Sequence, residues 1–123
     1  MNRLIKISFG TLFLLSSSIA FACDYPERPS IPDGSAASKD ELIAAKNSVQ
    51  DYMAKVDEYL NCIEGDEKAA IEKMDSPSEE VLQRREEMLN KKFDAANEEK
   101  ALLGEQFNQQ IRAYNAKVQE SKE

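Results

Sequence analysis

The stretch MDSPSEE, residues 74–80, lies between two long helical patterns and decides the fold. Pro77 disfavours a helical backbone at the residue before it, so we expect the chain to turn here. The order of residues is also that of a helix start, with Ser76 as N-cap, Pro77 as the first helical residue and Glu79 closing a capping box. Two long helices joined by so tight a turn run antiparallel, so the sequence predicts an all-α helical hairpin over residues 38–123.

Before the turn, the sequence predicts a first helix over about residues 39–74. Ser38 and Glu41 have the spacing of a capping box at its start. Its apolar residues alternate three- and four-residue steps, a seven-residue repeat typical of a coiled coil. We expect the helix to continue through Gly65, because a single glycine costs only about 1 kcal/mol, and the alternative is that the helix ends there. The apolar stripe comprises Leu42, Ala45, Val49, Tyr52, Val56, Tyr59 and Ile63, with Met53 and Leu60 beside it.

After the turn, the sequence predicts a second helix over about residues 77–119. Pairing around the turn uses this helix only to about residue 112, so Tyr114 and Val118 are expected to extend beyond their own hairpin. An apolar stripe without a partner indicates a surface for self-association or for another protein. The stripe comprises Leu82, Leu89, Phe93, Ala96, Leu103, Phe107, Ile111, Tyr114 and Val118, of which the last four are the candidate interaction residues.

Residues 1–22 have the order of a secretory signal peptide. Arg3 and Lys6 give a positive start, a short apolar run follows over residues 9–19, and Ala20-Phe21-Ala22 ends the segment. The run is too short for a stable membrane span. We expect cleavage after Ala22 and a periplasmic or secreted location, and the alternative is a buried N-terminal helix.

Residues 23–37 hold three of the four prolines and are expected to form an extended arm with a turn at Asp33-Gly34. Cys23 stands 15 residues before Ser38, a reach of about 46 Å in polyproline geometry. Cys62 stands 24 residues after Ser38, about 36 Å along a helix. The arm can therefore fold back along the first helix and join Cys23 to Cys62, which are the only two cysteines.

A Cys23–Cys62 disulfide is the favoured interpretation of these cysteines, because an oxidising compartment permits it. Closing a loop of this length contributes on the order of 4 kcal/mol in the chain-entropy model. A lipid anchor at Cys23 is one alternative, although Ala20 and Phe21 match a lipoprotein signal poorly. A redox-active pair is another, although the chain lacks Cys-x-x-Cys spacing and a thioredoxin-like strand pattern.

Charge and composition exclude several classes of function. Cleavage of the leader leaves 101 residues with a net charge of −9, which argues against nucleic acid and anionic membrane surfaces as partners. The chain has no histidine, the commonest general base and metal ligand. No phosphate-binding loop or known catalytic motif occurs. We therefore predict no catalytic, cofactor or metal site, and expect that the protein is not an enzyme.

Several sequence elements resemble a family of small exported proteobacterial helical proteins. They are the Cys-x-Tyr-Pro opening and Pro-Asp-Gly turn within residues 23–34, Tyr-Met at 52–53, Tyr-Leu-x-Cys at 59–62 and Phe-Asn at 107–108. The resemblance implies the envelope of a Gram-negative bacterium or a secreted setting, and it brings no activity with it.

Three functions are compatible with these features. The favoured one is a non-catalytic interaction or scaffold protein of the bacterial envelope, with a protein partner or self-association. The alternative is a small periplasmic chaperone-like binder of exposed apolar segments. A third is an oxidoreductase that uses Cys23 and Cys62.

Overall fold

The computed structural model describes residues 23–123, so the predicted signal peptide lies outside the described residues. This part of the chain contains two helices, α1 over Lys39–Glu72 and α2 over Glu79–Glu120, and no strand. The helices pack against each other in an antiparallel hairpin, which confirms the predicted all-α fold. Between residues 23 and 123, no helix has both the length and the apolar character needed to cross a bilayer.

The start of α1 follows the prediction from sequence. The Glu41 amide donates to Ser38 Oγ at 3.2 Å, and the Ser38 amide donates to Glu41 Oε2 at 2.7 Å. These two hydrogen bonds form the capping box, which satisfies amides that lack partners at a helix start. The helix then continues through Gly65 to Glu72, as expected.

The start of α2 differs from the prediction. The N-cap is Ser78, whose Oγ accepts from the Val81 amide at 3.3 Å, so α2 begins two residues later than expected. Ser76 has a φ of 45°, in the left-handed region, whereas an N-cap residue has an extended backbone, as Ser78 does. Pro77 therefore lies outside the helix, directly before its N-cap.

The hydrophobic core is centred on α1. Val56 and Leu103 are fully buried where the two helices face each other. Seven residues of α1 are buried, against two of α2, because α1 is covered both by α2 and by the arm. The buried α1 residues agree with the predicted stripe except that Tyr59 is only half-buried. They are Leu42, Ala45, Val49, Tyr52, Val56, Leu60 and Ile63, and those of α2 are Ala96 and Leu103.

Residues 23–37 run without regular structure along the hairpin and end in a turn closed by the Asp33 carbonyl. Cys23 lies at disulfide distance from Cys62, with their Cα atoms 5.7 Å apart. The Tyr25 ring lies edge-on to Tyr59, with ring centroids 4.9 Å apart, and edge-on to Tyr52 at 6.5 Å. The arm thus lies against α1 at Tyr52, Tyr59 and Cys62.

The arm also contacts α2, which the sequence did not indicate. The Arg28 guanidinium bonds to Glu99 and to Gln106. Farther along, the Gly34 amide donates to Gln110 Oε1 at 2.9 Å. The arm therefore bridges the two helices, so that it links them side by side instead of covering one alone.

Gly34 is required by close packing and not by its backbone angles, since no described glycine has a positive φ. A Cβ at Gly34 would lie 1.8 Å from the backbone oxygen of Gln110 on α2. A Cβ at Gly65, by contrast, would meet no atom within 4 Å. The two glycines thus differ in their effect. Gly34 allows the arm to contact α2 closely, whereas Gly65 only lowers the helix propensity of α1.

We predict that Gly34→Ala and Gly65→Ala change stability in opposite directions. Gly34→Ala should lower the free energy of unfolding by about 1–3 kcal/mol, because the new methyl group overlaps α2. Gly65→Ala should raise it by about 0.5–1 kcal/mol, because alanine is the better helix former. Urea denaturation followed by circular dichroism measures both. Equal stability of the Gly34→Ala variant and the wild type would contradict the close approach of the arm.

Candidate interaction surface

Three of the four predicted interaction residues line one groove near the open end of the hairpin. Phe107, Ile111 and Tyr114 form its α2 side, whereas Val118 is not among its lining residues. The groove has a volume of about 350 Å³ and is open to solvent. The α1 side is formed by Lys39, Leu42, Ile43 and Lys46, and Asn115 completes the lining.

The position of Tyr114 differs from the prediction. It was expected beyond the hairpin, yet it lies across from Leu42, which is only 4% exposed. Each described α1 residue lies opposite an α2 residue that is nearer the C-terminus than the predicted pairing places it. The ion pair of Asp57 with Lys100 illustrates this shift in register. The end of the arm also reaches this region, because Lys117 Nζ donates to the Ala37 carbonyl at 2.6 Å and lies 5.0 Å from the centre of the Tyr114 ring.

The lining of the groove is mostly apolar and partly accessible. Leu42 forms a buried floor, and Ile43 on the rim is 48% exposed, one of the larger apolar side chains most open to water. A concave apolar surface with a few polar groups at its edge is the usual form of a binding site. The groove can therefore take up an apolar side chain or a short amphipathic segment.

The charge around the groove differs from that of the rest of the chain. The whole chain carries a net charge of −7, yet residues 42–50 and 106–119 contain no Asp or Glu. Lys39 and Lys46 stand on the rim, and neither belongs to an ion pair among residues 23–123. The two segments that face each other across the groove therefore carry no negative side chain, although Asp40 and Glu41 follow Lys39 at the start of α1.

Reasoning from sequence missed the α1 side of the groove. Leu42 was placed in the core stripe, and neither Ile43 nor the two lysines were among the predicted interaction residues. A signal was nevertheless present, because the two acid-free segments, 42–50 and 106–119, lie opposite each other once the hairpin register is known. Their pairing requires the tertiary structure.

Two carboxyl groups near the open end have lowered pKa values. The hydroxyl and the amide of Ser35 lower the pKa of Asp33, and the amide and the hydroxyl of Ser38 lower that of Glu41. A lowered folded-state pKa adds stability above the unfolded-state pKa, and this stability is lost as the pH falls through the folded-state pKa. The turn and the helix cap beside the groove are therefore most stable when both carboxyl groups are ionised.

Beneath the arm, Tyr52 is kept neutral. Burial, followed by its hydrogen bond to Tyr25, raises the pKa of Tyr52 well above the usual range. The neutral Tyr52 hydroxyl donates to the Tyr25 hydroxyl at 3.2 Å. This contact ties the arm to α1 a few turns before the cysteine pair.

Cys23 lines a second cavity, of about 440 Å³, toward the turn. Asp66 Oδ2 lies 3.1 Å from Cys23 Sγ. A disulfide sulfur carries no proton to donate, so this approach is a contact in the oxidised protein and becomes a hydrogen bond only after reduction. Opposite, Arg85 forms a two-pronged ion pair with Glu67 at 2.6 and 3.0 Å.

Cys23, Cys62 and Asp66 also form the group of potential metal ligands found in the described chain, with their ligand atoms within 4.8 Å of one another. Thiolates, and not disulfide sulfurs, bind metals. The bond between the two sulfurs therefore removes these donors as long as it is intact. The expectations of no metal, no cofactor and no catalytic site stay predictions.

Comparison of the chain with protein-family models, with curated proteins and with solved structures finds no match in any of the three. The resemblance to a family of exported helical proteins therefore stays a prediction from sequence.

We predict that the link between Cys23 and Cys62 stabilises the folded state by about 2–4 kcal/mol, because it restricts the unfolded chain. The paired substitution Cys23→Ala with Cys62→Ala should lower the urea midpoint, as should reduction of the wild type. The control is the double variant itself, whose midpoint should not respond to the reductant. Alkylation of both cysteines in the native, non-reduced protein would contradict the pairing.

Proposed function

We propose that this protein is an exported, non-catalytic interaction or scaffold protein of the bacterial envelope, which binds a protein partner at the groove. One observation carries this proposal. An apolar, partly exposed groove lies near the open end of an acidic hairpin, between segments 42–50 and 106–119, which contain no Asp or Glu. Apolar surface of this kind, rimmed by polar residues, is characteristic of interaction sites.

In this proposal the arm is a structural clasp. Packed back on the hairpin and closed by a Cys23–Cys62 disulfide, it holds the two walls of the groove at a fixed spacing. Support comes from its contacts with both helices, since Tyr25 meets α1 and Arg28 meets α2. A rigid, preformed site loses less conformational entropy on binding than a flexible one. The cysteine pair also favours export, because disulfides persist in oxidising compartments.

A second candidate is a chaperone-like binder of exposed apolar segments. It is favoured by apolar side chains that stand in solvent away from the groove, such as Met88 at 57% exposed and Leu102 at 49%. Such a binder uses dispersed apolar surface and accepts many clients, whereas the favoured function uses one site. Suppression of the aggregation of a denatured model client, unaffected by substitutions in the groove, would favour this second candidate.

Site-specific photo-crosslinking in intact cells tests the favoured function. A benzophenone amino acid replaces Asn115, which lines the groove, or Asn90, which is exposed nearer the turn and serves as the matched control. We expect a discrete adduct from position 115 and none from position 90. Adding Ile43→Lys should abolish the adduct, because a charge then replaces the apolar rim.

Identical adducts from both positions would contradict a site at the groove. Absence of any adduct from position 115 would contradict a stable partner there. Mass spectrometry of the adduct distinguishes a foreign protein from a second copy of this chain. The N-terminal peptide from the same digest shows whether Cys23 is the first residue and whether it carries a lipid.

A further inference from the structure

We propose that the occupant of the groove is an amphipathic helix of a partner protein, with an apolar face and two acidic residues seven positions apart. This inference rests on the proposed function and names the chemistry of the partner. It follows from the charge on the rim, the spacing of that charge and the shape of the groove.

The spacing of the rim charges sets the spacing on the partner. Lys39 and Lys46 are seven residues apart on α1, which is two helical turns or about 10.5 Å. Carboxylates at positions i and i+7 of a helix laid along α1 have the same separation. Both lysines are exposed and belong to no ion pair of the described chain, so a partner's carboxylates can contact them without displacing an internal partner.

The apolar part of the groove lies between these two charges. Ile43 stands on α1 between the lysines, and Ile111 faces it from α2. A partner helix fills this space with apolar residues at i+3 and i+4, which share a face with i and i+7. Docking a helix by such anchors is a common mode of recognition.

The groove is open on the side away from the arm. Gln106 and Gln110, which hold the arm, lie about half a turn around α2 from Asn115 in the groove. None of residues 23–37 lines the groove, so the arm does not fill it, although the end of the arm lies beside it where Lys117 contacts Ala37 and Tyr114. A second copy that presents the same groove would set Lys39 and Lys46 against the same cations, which disfavours a symmetric dimer here.

The probe is a designed, fluorescently labelled helical peptide with leucines on one face and two glutamates seven positions apart. Its control has the same leucines and lysines in place of the glutamates. Fluorescence anisotropy measures the binding of each peptide to the full chain. We expect the acidic peptide to bind and the basic one not to bind.

Charge reversal on the protein tests the contact directly. Lys39→Glu with Lys46→Glu should weaken the acidic peptide at least about tenfold, since two attractions become repulsions, and should favour the basic peptide. The matched control is Lys68→Glu with Lys91→Glu, which changes the net charge equally on exposed residues far from the groove. It should change the affinity less than about twofold, because water and salt screen distant charges.

Three results would overturn the proposal. They are no binding of the acidic peptide, equal weakening by both pairs of substitutions, and concentration-dependent sedimentation of the protein alone that Lys46→Glu abolishes. The last result would make a second copy the occupant. A failure with the peptides alongside a groove-specific adduct in cells would overturn only the chemistry of the partner and leave the proposed function standing.

Discussion

The return of the arm to the hairpin is the constraint on which the rest of the structure depends. Two helices alone bury one face each, which is little for a chain of this size. Here α1 is covered on two sides, by α2 and by residues 23–37, and this explains why the buried residues concentrate on α1. The cysteine pair fixes the N-terminal end of the arm to α1. The contacts of Arg28 and Gly34 fix the rest of the arm to α2. The net stability of a small domain is only about 5–15 kcal/mol, so a link of a few kcal/mol decides whether such an assembly persists.

The distribution of charge gives the two ends of the hairpin different characters. Near the turn, acidic side chains dominate, and they are partly neutralised by ion pairs such as Glu67 with Arg85. Surface pairs of this kind contribute little to stability and mainly keep the helix faces solvated. Around the groove, acidic residues are absent from both facing segments, and apolar residues take their place. A single hairpin thereby combines acidic helix faces near the turn with one apolar groove near the open end.

Local sequence patterns predicted the elements well and their junctions less well. The capping box at Ser38 and the continuation through Gly65 depend on interactions within a few residues, so the sequence sufficed for both. At the turn, the sequence predicted Ser76 as the N-cap, whereas the structure has Ser78 there. The choice of Ser78 depends on how the chain reverses between two packed helices, which places Ser76 in a left-handed conformation. The Asp33-Gly34 turn was predicted, but not that Gly34 must lack a side chain because α2 lies against it.

By itself, the sequence determined that the chain forms two helices joined by a turn, and which face of α1 is apolar, because helix caps and apolar periodicity are properties of neighbouring residues. It also indicated that Cys23 can reach Cys62, because residue counts limit distance. Only the tertiary structure decided the register of α2 against α1, and with it the meeting of Lys39 and Ile43 with Ile111 and Tyr114. Register is set by the fit of many side chains from distant parts of the chain, and no local pattern encodes that fit.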